Sequence, residues 1–415
     1  MPLPSRVTLL TLAAGLVLLA AGAARADEAP TPCDIAAANP IDPLRLAPGH
    51  AFDELDGSAA EEACRTSLAA HPDDPRLTYQ LGRSLDRQSR FDEAKAAYLK
   101  AFAGGYAIAA HAYGKLAELG LGSAIDTKAA AEYYERALDG GFKAAAGDLA
   151  FLHESGSGVE RDDAEAARLY AIAVEAGDGW SALNLGLLYE NGKGVTPDAA
   201  KAAELYEFAA DRGEAVADLD LGLLLMFGKG VARDPAAAVK RYRAAHEAGV
   251  VAATIELARA YRYGTGVGRD VAEAAKLFEQ AAQSDDQVSA AAAMNEQAWL
   301  LAQTGGDLTR AGALIAKALD WMRLYQHPDL PNALDTSAWI KHLTGDDAGA
   351  LIDEQEAVGA LPDHAAAHDR LGDILAALGR KDAAKAEWRK ALALNAPEEE
   401  PDWDRTAVEK KLAAP

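Results

Sequence analysis

A glycine pair returns through this chain every thirty-six residues, and that rhythm limits what it can fold into more than any other feature. The loops "GLGSAID", "SGSGVERD", "NGKGVTPD", "FGKGVARD" and "YGTGVGRD" put their first glycines at Gly120, Gly156, Gly192, Gly228 and Gly264. Asp126, Asp162, Asp198, Asp234 and Asp270 keep the same step. Lys229, between two of these glycines, invites a phosphate-cradle reading. That reading needs one loop, opening a helix after a strand. Five copies at fixed spacing, with no β-branched run before them, mark a repeat array instead.

The other columns give the unit its anatomy. Before each loop, apolar residues recur at three and four spacing, as on one face of a helix. One column holds only small residues: Gly114, Ala150, Gly186, Gly222 and Ala258. A helical glycine costs roughly 1 kcal/mol against alanine, so its return implies a close helix–helix contact. After the loop, each Asp is placed to cap a second helix, and Pro235 sits at a first helical position. That helix carries an aromatic column, Tyr134, Tyr170, Tyr206, Tyr242 and Phe278, with alanine three residues on. Gly141, Gly177, Gly213 and Gly249 then serve as left-handed caps. One helix pair cannot bury its own apolar face, but stacked pairs can. The expected fold is all-α: a right-handed α-solenoid of about nine stacked two-helix repeats in one array.

The stretch "LGLLYENGKGVTPDAAKAAELYEFAADRG", Leu185 to Gly213, resembles the Sel1-like repeat family, whose units combine LGxxYxxGxGVxxD with KAxxxYxxAAxxG. The likeness covers residues 107–287 as five repeats. "LTYQLGRSLDRQSRFDEAKAAYLKAFAGG", Leu77 to Gly105, is similar to a tetratricopeptide unit, placed over 72–106. "AAHDRLGDILAALGRKDAAKAEWRKALAL", Ala366 to Leu394, matches that pattern through Leu371, Gly372, Gly379, Ala384, Trp388 and Ala391. Two diverged units precede it, giving three over 288–397, with a loop at "LYQHPDLPNAL". A polar end helix over Asp402 to Leu412 makes 398–415 a C-terminal cap. The resemblance implies a tetratricopeptide/Sel1-like superhelix that mediates protein complexes. Exported members of the family include regulators of envelope signalling and assembly factors. A branch with cysteines in every repeat is linked to β-lactamase activity, and this chain lacks those cysteines.

Arg6 followed by the apolar run Val7 to Gly22, with Ala24 and Ala26 as a small-residue cleavage site, reads as a signal peptide over 1–26. The mature chain is then expected to be periplasmic or secreted, and no later apolar run is long enough to span a membrane. Removing Arg6 and Arg25 from 41 basic residues leaves 39 against 64 acidic ones, a net charge of −25. That excess argues against nucleic acid and anionic lipid, both of which demand a basic face. Cys33 and Cys64 are the two cysteines, and in an oxidising space they form a candidate disulfide worth roughly 3–4 kcal/mol. The bridge would pin a Pro-, Ala- and Asp-rich segment onto a helix at Ser58 to Ala70, making 27–71 an N-terminal cap.

Chemistry is sparse. His364 and His368 lie four apart, yet no third ligand is placed and no HExxH glutamate is present, so packing is the expected role. No catalytic residue, cofactor site or metal site is assigned. A solenoid offers the face lined by the first helix of each pair. Asn184, Asp220 and Glu256 form a column there, with Trp180, Met226, Arg259 and Arg262 nearby. Trp180, Asn184, Asp220, Met226, Arg259 and Arg262 are the candidate contacts. The expected activity is non-enzymatic binding of a protein or peptide, with an enzyme or binder of cell-wall material or β-lactams as the alternative.

Overall fold

The computed structural model describes residues 28–394 and 403–413, so the expected signal peptide over 1–26 lies outside the described residues. The chain divides into two compact units, residues 1–214 and 215–415. The first contains α1 (Pro32–Ala37), α2 (Gly57–Ala70), α3 (Pro75–Arg87), α4 (Phe91–Ala103), α5 (Ala107–Glu118), α6 (Thr127–Asp139), α7 (Ala145–Ser155), α8 (Asp163–Glu175), α9 (Gly179–Asn191) and α10 (Ala199–Ala210). The second contains α11 (Ala215–Phe227), α12 (Pro235–Glu247), α13 (Val251–Tyr263), α14 (Val271–Ala282), α15 (Gln287–Gln303), α16 (Leu308–Leu324), α17 (Leu330–Leu343), α18 (Asp347–Ala360), α19 (Ala365–Ala377), α20 (Lys381–Ala393) and α21 (Arg405–Ala413). No strand occurs among the described residues. From α3 onward the helices pack as consecutive pairs, four in the first unit and five in the second.

Each pair is made by the residues that recur. The side chains of Asp126, Asp162, Asp198, Asp234 and Asp270 accept hydrogen bonds from first-turn amides of α6, α8, α10, α12 and α14. Those bonds satisfy donors that a helix start leaves orphaned. The same aspartates tie the loop back to the first helix, as in Asp198 N to Tyr189 O at 2.9 Å. Tyr134, Tyr170, Tyr206, Tyr242 and Phe278 are wholly buried against the small-residue column. A Cβ built on Gly186 would lie 2.5 Å from the Tyr206 ring, so the ring rests on backbone. Burying an aromatic of this size contributes roughly 1.5–3 kcal/mol per repeat.

The second glycine of each loop has a different task. Gly194 has φ +68°, and a Cβ there would stand 2.2 Å from the backbone of Asp163, at the start of α8 in the preceding repeat. Gly266 meets Pro235 O at the start of α12 in the same way, at 2.1 Å. These loops lie directly on the capped helix before them, which fixes the stacking distance between those repeats within each unit.

The flanks depart from the repeat length. Both α15 and α16 run to 17 residues. The loop expected over 324–334 is shorter, because α16 continues to Leu324 and α17 begins at Leu330, taking Pro331 into its first turn, where a missing N–H costs nothing.

Replacing Gly213, which has φ +91° and open space around its Cβ position, with alanine pays only the left-handed backbone term, about 1–2 kcal/mol. Gly194→Ala adds a backbone collision and is expected to lower the thermal midpoint distinctly further in the same melting experiment.

Candidate functional site

Within residues 28–214 the first helices α3, α5, α7 and α9 present a common face. His111 Nε2 lies 2.6 Å and Lys115 Nζ 2.8 Å from the Asp148 carboxylate, tying α5 to α7. Burial pushes the Asp148 carboxyl up, but the hydrogen bonds and charges of His111 and Lys115 overcome this and hold it below its ordinary value. Asp148 stands thirty-six residues before Asn184, in the same column, a register that would have singled it out from the sequence. Beside it opens a cleft of about 580 Å³ lined by Ile41, His111, Phe142, Gly147, Asp148 and Trp180. Trp180 is 37% exposed and sits edge-on to Phe151 and Tyr170, with ring centroids 5.9 and 5.8 Å away. Ile41, Phe151 and Leu187 are also exposed, giving the face an apolar stripe. Asn184 is half-buried, and its Nδ2 donates to Trp180 O on its own helix at 2.8 Å.

The first segment of this face already holds a length of chain. The Cys33–Cys64 disulfide is formed. It was expected to pin the N-terminal segment to α2, and the structure adds a web of polar contacts to α3 and α5. Arg76 and Gln80 both donate to the Asp34 carboxylate. Arg83 donates to the carbonyls of Ala37 and Ala38, each at 2.8 Å, and to His50 O at 3.1 Å. Tyr106 donates to Asp42. Burial raises the Asp34 carboxyl, and the bonds from Arg76, Gln80 and Thr31 outweigh it to leave a lowered value. Counted from the Leu-Gly pair, Gln80 occupies the column of Asp148 and Asn184, and Arg83 that of Lys115, Phe151 and Leu187. Sequence periodicity could not find this, because the segment itself is not part of the repeat.

In residues 215–413 the candidates fare differently. Arg259 binds Glu256 at 2.6 Å and Glu296 at 2.8 Å, linking α13 to α15. Arg262, expected to project for contact, is 3% exposed and donates to Glu296 and Gln303 at 3.1 and 2.6 Å. Met226 packs against the core around Tyr242, and Asp220 is half-buried. Met226 and Arg262 share a column whose meaning only the structure discloses. In the first unit Asp86, Glu118, Glu154 and Glu190 stand there and accept the hydroxyls of Tyr98, Tyr134, Tyr170 and Tyr206 at 3.1, 2.5, 2.9 and 2.8 Å. Met226 replaces the acid, and the buried Tyr242 hydroxyl finds no hydrogen-bond partner among the described residues. Where Arg262 replaces it, the ring is Phe278, which needs none.

Other polar clusters serve packing. His364 caps α19 through Ala367 N, and His368 bridges Glu387 and Pro362 O. Among the described residues no group of three or more His, Cys, Asp or Glu side chains is placed to hold a metal. Arg370 grips Asp335 through two bonds of 2.5 and 2.6 Å. Glu354 lies wholly buried beside them, and burial, with the charge of Asp335, pushes its carboxyl well above the ordinary range.

A family model described as Sel1 repeat matches residues 107–142, 143–178, 181–214, 215–249 and 251–286. Among solved structures, a protective antigen present in uropathogenic Escherichia coli strains displaying an SLR fold is 25% identical, with a TM-score of 0.61 over 80% of this chain and 71% of that one. A Sel1 repeat protein from Oxalobacter formigenes is 24% identical, with a TM-score of 0.52 over 58% of this chain and 96% of its own. None of the curated proteins matches the chain.

Two stability measurements follow from this geometry. Tyr206→Phe removes a made hydrogen bond and is expected to cost about 1 kcal/mol, whereas Tyr242→Phe removes an orphaned hydroxyl and is expected to be neutral or stabilising in the same denaturant titration. Glu354 binds its proton more tightly in the folded chain than in the unfolded one. Its contribution is therefore greatest at low pH and falls as pH rises from the ordinary carboxylate range through its raised value. Glu354→Gln is expected to leave the thermal midpoint near pH ~4 unchanged and raise it near pH ~8.

Proposed function

We propose that this chain, a Sel1 repeat protein flanked by tetratricopeptide-like helix pairs, is an exported, non-enzymatic scaffold that holds a protein or peptide partner on the first-helix face of residues 28–214. The observation that carries this reading is the cleft beside Trp180, where an exposed apolar stripe adjoins an ion cluster that is already neutralised internally. Exposed apolar patches with a polar rim mark interaction surfaces, and tryptophan is a frequent energetic anchor in them. Trp180 and Asn184 are the contacts we assign there; in residues 215–413 Asp220, Met226 and Arg259 keep partial exposure, and Arg262 does not. Export is supported by the Cys33–Cys64 bridge and by the apolar start of the sequence. No helix among the described residues is long and apolar enough to cross a membrane.

Photo-crosslinking in the native cell tests the reading. A photoreactive residue in place of Phe151 or of Leu187 is expected to capture one shared partner, and the same residue in place of Glu135 or Arg168 on the second helices is not. Trp180→Ala is expected to weaken capture about ten-fold or more with helicity unchanged. Saturable turnover of a cell-wall or β-lactam substrate, abolished by one substitution, would replace this reading with the enzymatic one.

A further inference from the structure

The second unit has its own groove, of about 830 Å³, on the first-helix face of α13, α15, α17 and α19. Tyr263, Trp299, Trp339 and Leu343 give it an apolar floor, and Tyr263 and Leu343 are 39% and 41% exposed. Its far end is acidic, with Asp369 and Asp373 on α19. There the chain's own last helix is seated. Lys411 of α21 donates to Asp369 at 2.8 Å and to Asp373 at 2.6 Å, while Trp388 Nε1 also donates to Asp373 at 3.2 Å. Val408, one turn before Lys411, is wholly buried against Leu371, Leu375 and Trp388.

The two ends of the chain are held in different ways. The N-terminal segment is locked by a bridge whose two sulfurs are buried. By contrast, α21 has no covalent lock: residues 394–404 join it to α20, and its seat rests on Lys411 and on Val408, Leu412 and Trp403 packed against the core beneath. The fit is incomplete as well, since the half-buried Trp403 keeps its indole N–H without an acceptor among the described residues. A half-buried donor left unpaired costs this seating free energy that release of the segment, with the indole N–H reaching water, would recover. The other cations of the groove are engaged. Arg370 is held by Asp335 beneath the Trp299 ring, and Arg262 by Glu296 and Gln303.

We infer that this groove is a docking site for a basic amphipathic helix of a partner protein, and that α21 is its resident, displaceable occupant. The guest presents a lysine or arginine to Asp369 and Asp373, an aliphatic residue one turn away in the place of Val408, and an apolar face that continues over Trp339 and Trp299. The chain's formal net charge of −23 draws such a guest in and opposes a second copy of itself. The inference rests on the reading of the first-helix face as a docking face, here extended to residues 215–413. Because α21 is tethered, it competes at high effective concentration, so the site is closed to weak guests and open to strong ones.

The test is a calorimetric titration of a synthetic peptide spanning residues 403–413 into the full-length protein and into its Val408→Ser/Lys411→Ala variant. The variant is expected to bind the peptide about ten-fold more tightly than the unaltered chain, because its own helix no longer competes. Adding Asp373→Asn should remove most of that binding, and raised salt should weaken it. Equal affinity in both proteins, or no uptake by a variant with an intact helical spectrum, overturns the inference. Should the double variant fail to fold, Lys411→Glu alone, which keeps Val408, answers the same question. Light scattering that shows a dimer abolished by Lys411→Ala would overturn it in favour of exchange between copies. Trp180→Ala leaves this titration unchanged, so its outcome and that of the crosslinking are separable.

Discussion

Everything in this protein depends on an aromatic ring pressed directly against a neighbouring helix backbone. Tyr206 on Gly186, Tyr134 on Gly114 and Trp388 on Gly372 are one contact repeated, each with room for a hydrogen and none for an unshifted methyl. Where the column holds alanine, as at Ala150 and Ala258, Tyr170 and Phe278 are still wholly buried. The contact brings two helices close enough to exclude water along their length. It also uses up the apolar face of the second helix, leaving the first helix to meet the world.

That division of labour explains where polar chemistry collects. Within each unit, ion pairs cross from one first helix to the next: Asp148 with His111 and Lys115, Arg259 with Glu296, Arg370 with Asp335. Paired charges of this kind contribute little net stability on a surface, but a charge left alone in a half-buried column would be costly. The same columns, at Gln80 and Arg83, grip the carboxylate of Asp34 and the carbonyls of Ala37 and Ala38. The first-helix face can thus serve as a link between repeats or as a holder of chain, depending on which side chain stands in the column.

Much of this was legible beforehand. The thirty-six-residue step located the helix pairs, the capping aspartates and the aromatic column, because each of these is a local demand that every repeat must meet. Cys33 and Cys64 could be paired because there was no other choice. The roles of Met226 and Arg262 were not legible. Both read as side chains offered to solvent, and both stand where the other repeats place the acid that receives a tyrosine hydroxyl, a group that Phe278 lacks opposite Arg262 and that Tyr242 keeps unpaired opposite Met226. Asp148 stands in the column of Asn184, but its role was not legible, because its partners His111 and Lys115 lie on the first helix of the preceding repeat.

The sequence by itself determined the repeat: its length, its two helices, its turns and the face each helix buries. Those follow from periodicity, capping and the left-handed preference of glycine, all of which act within a few residues. The tertiary structure alone decided what occupies the remaining face. The N-terminal segment and α21 carry no repeat of their own, and their seats are built from residues far apart in the chain, such as Asp34 with Arg76 and Lys411 with Asp369. Contacts of that kind leave no period in the sequence, since each is made once and only by the folded chain.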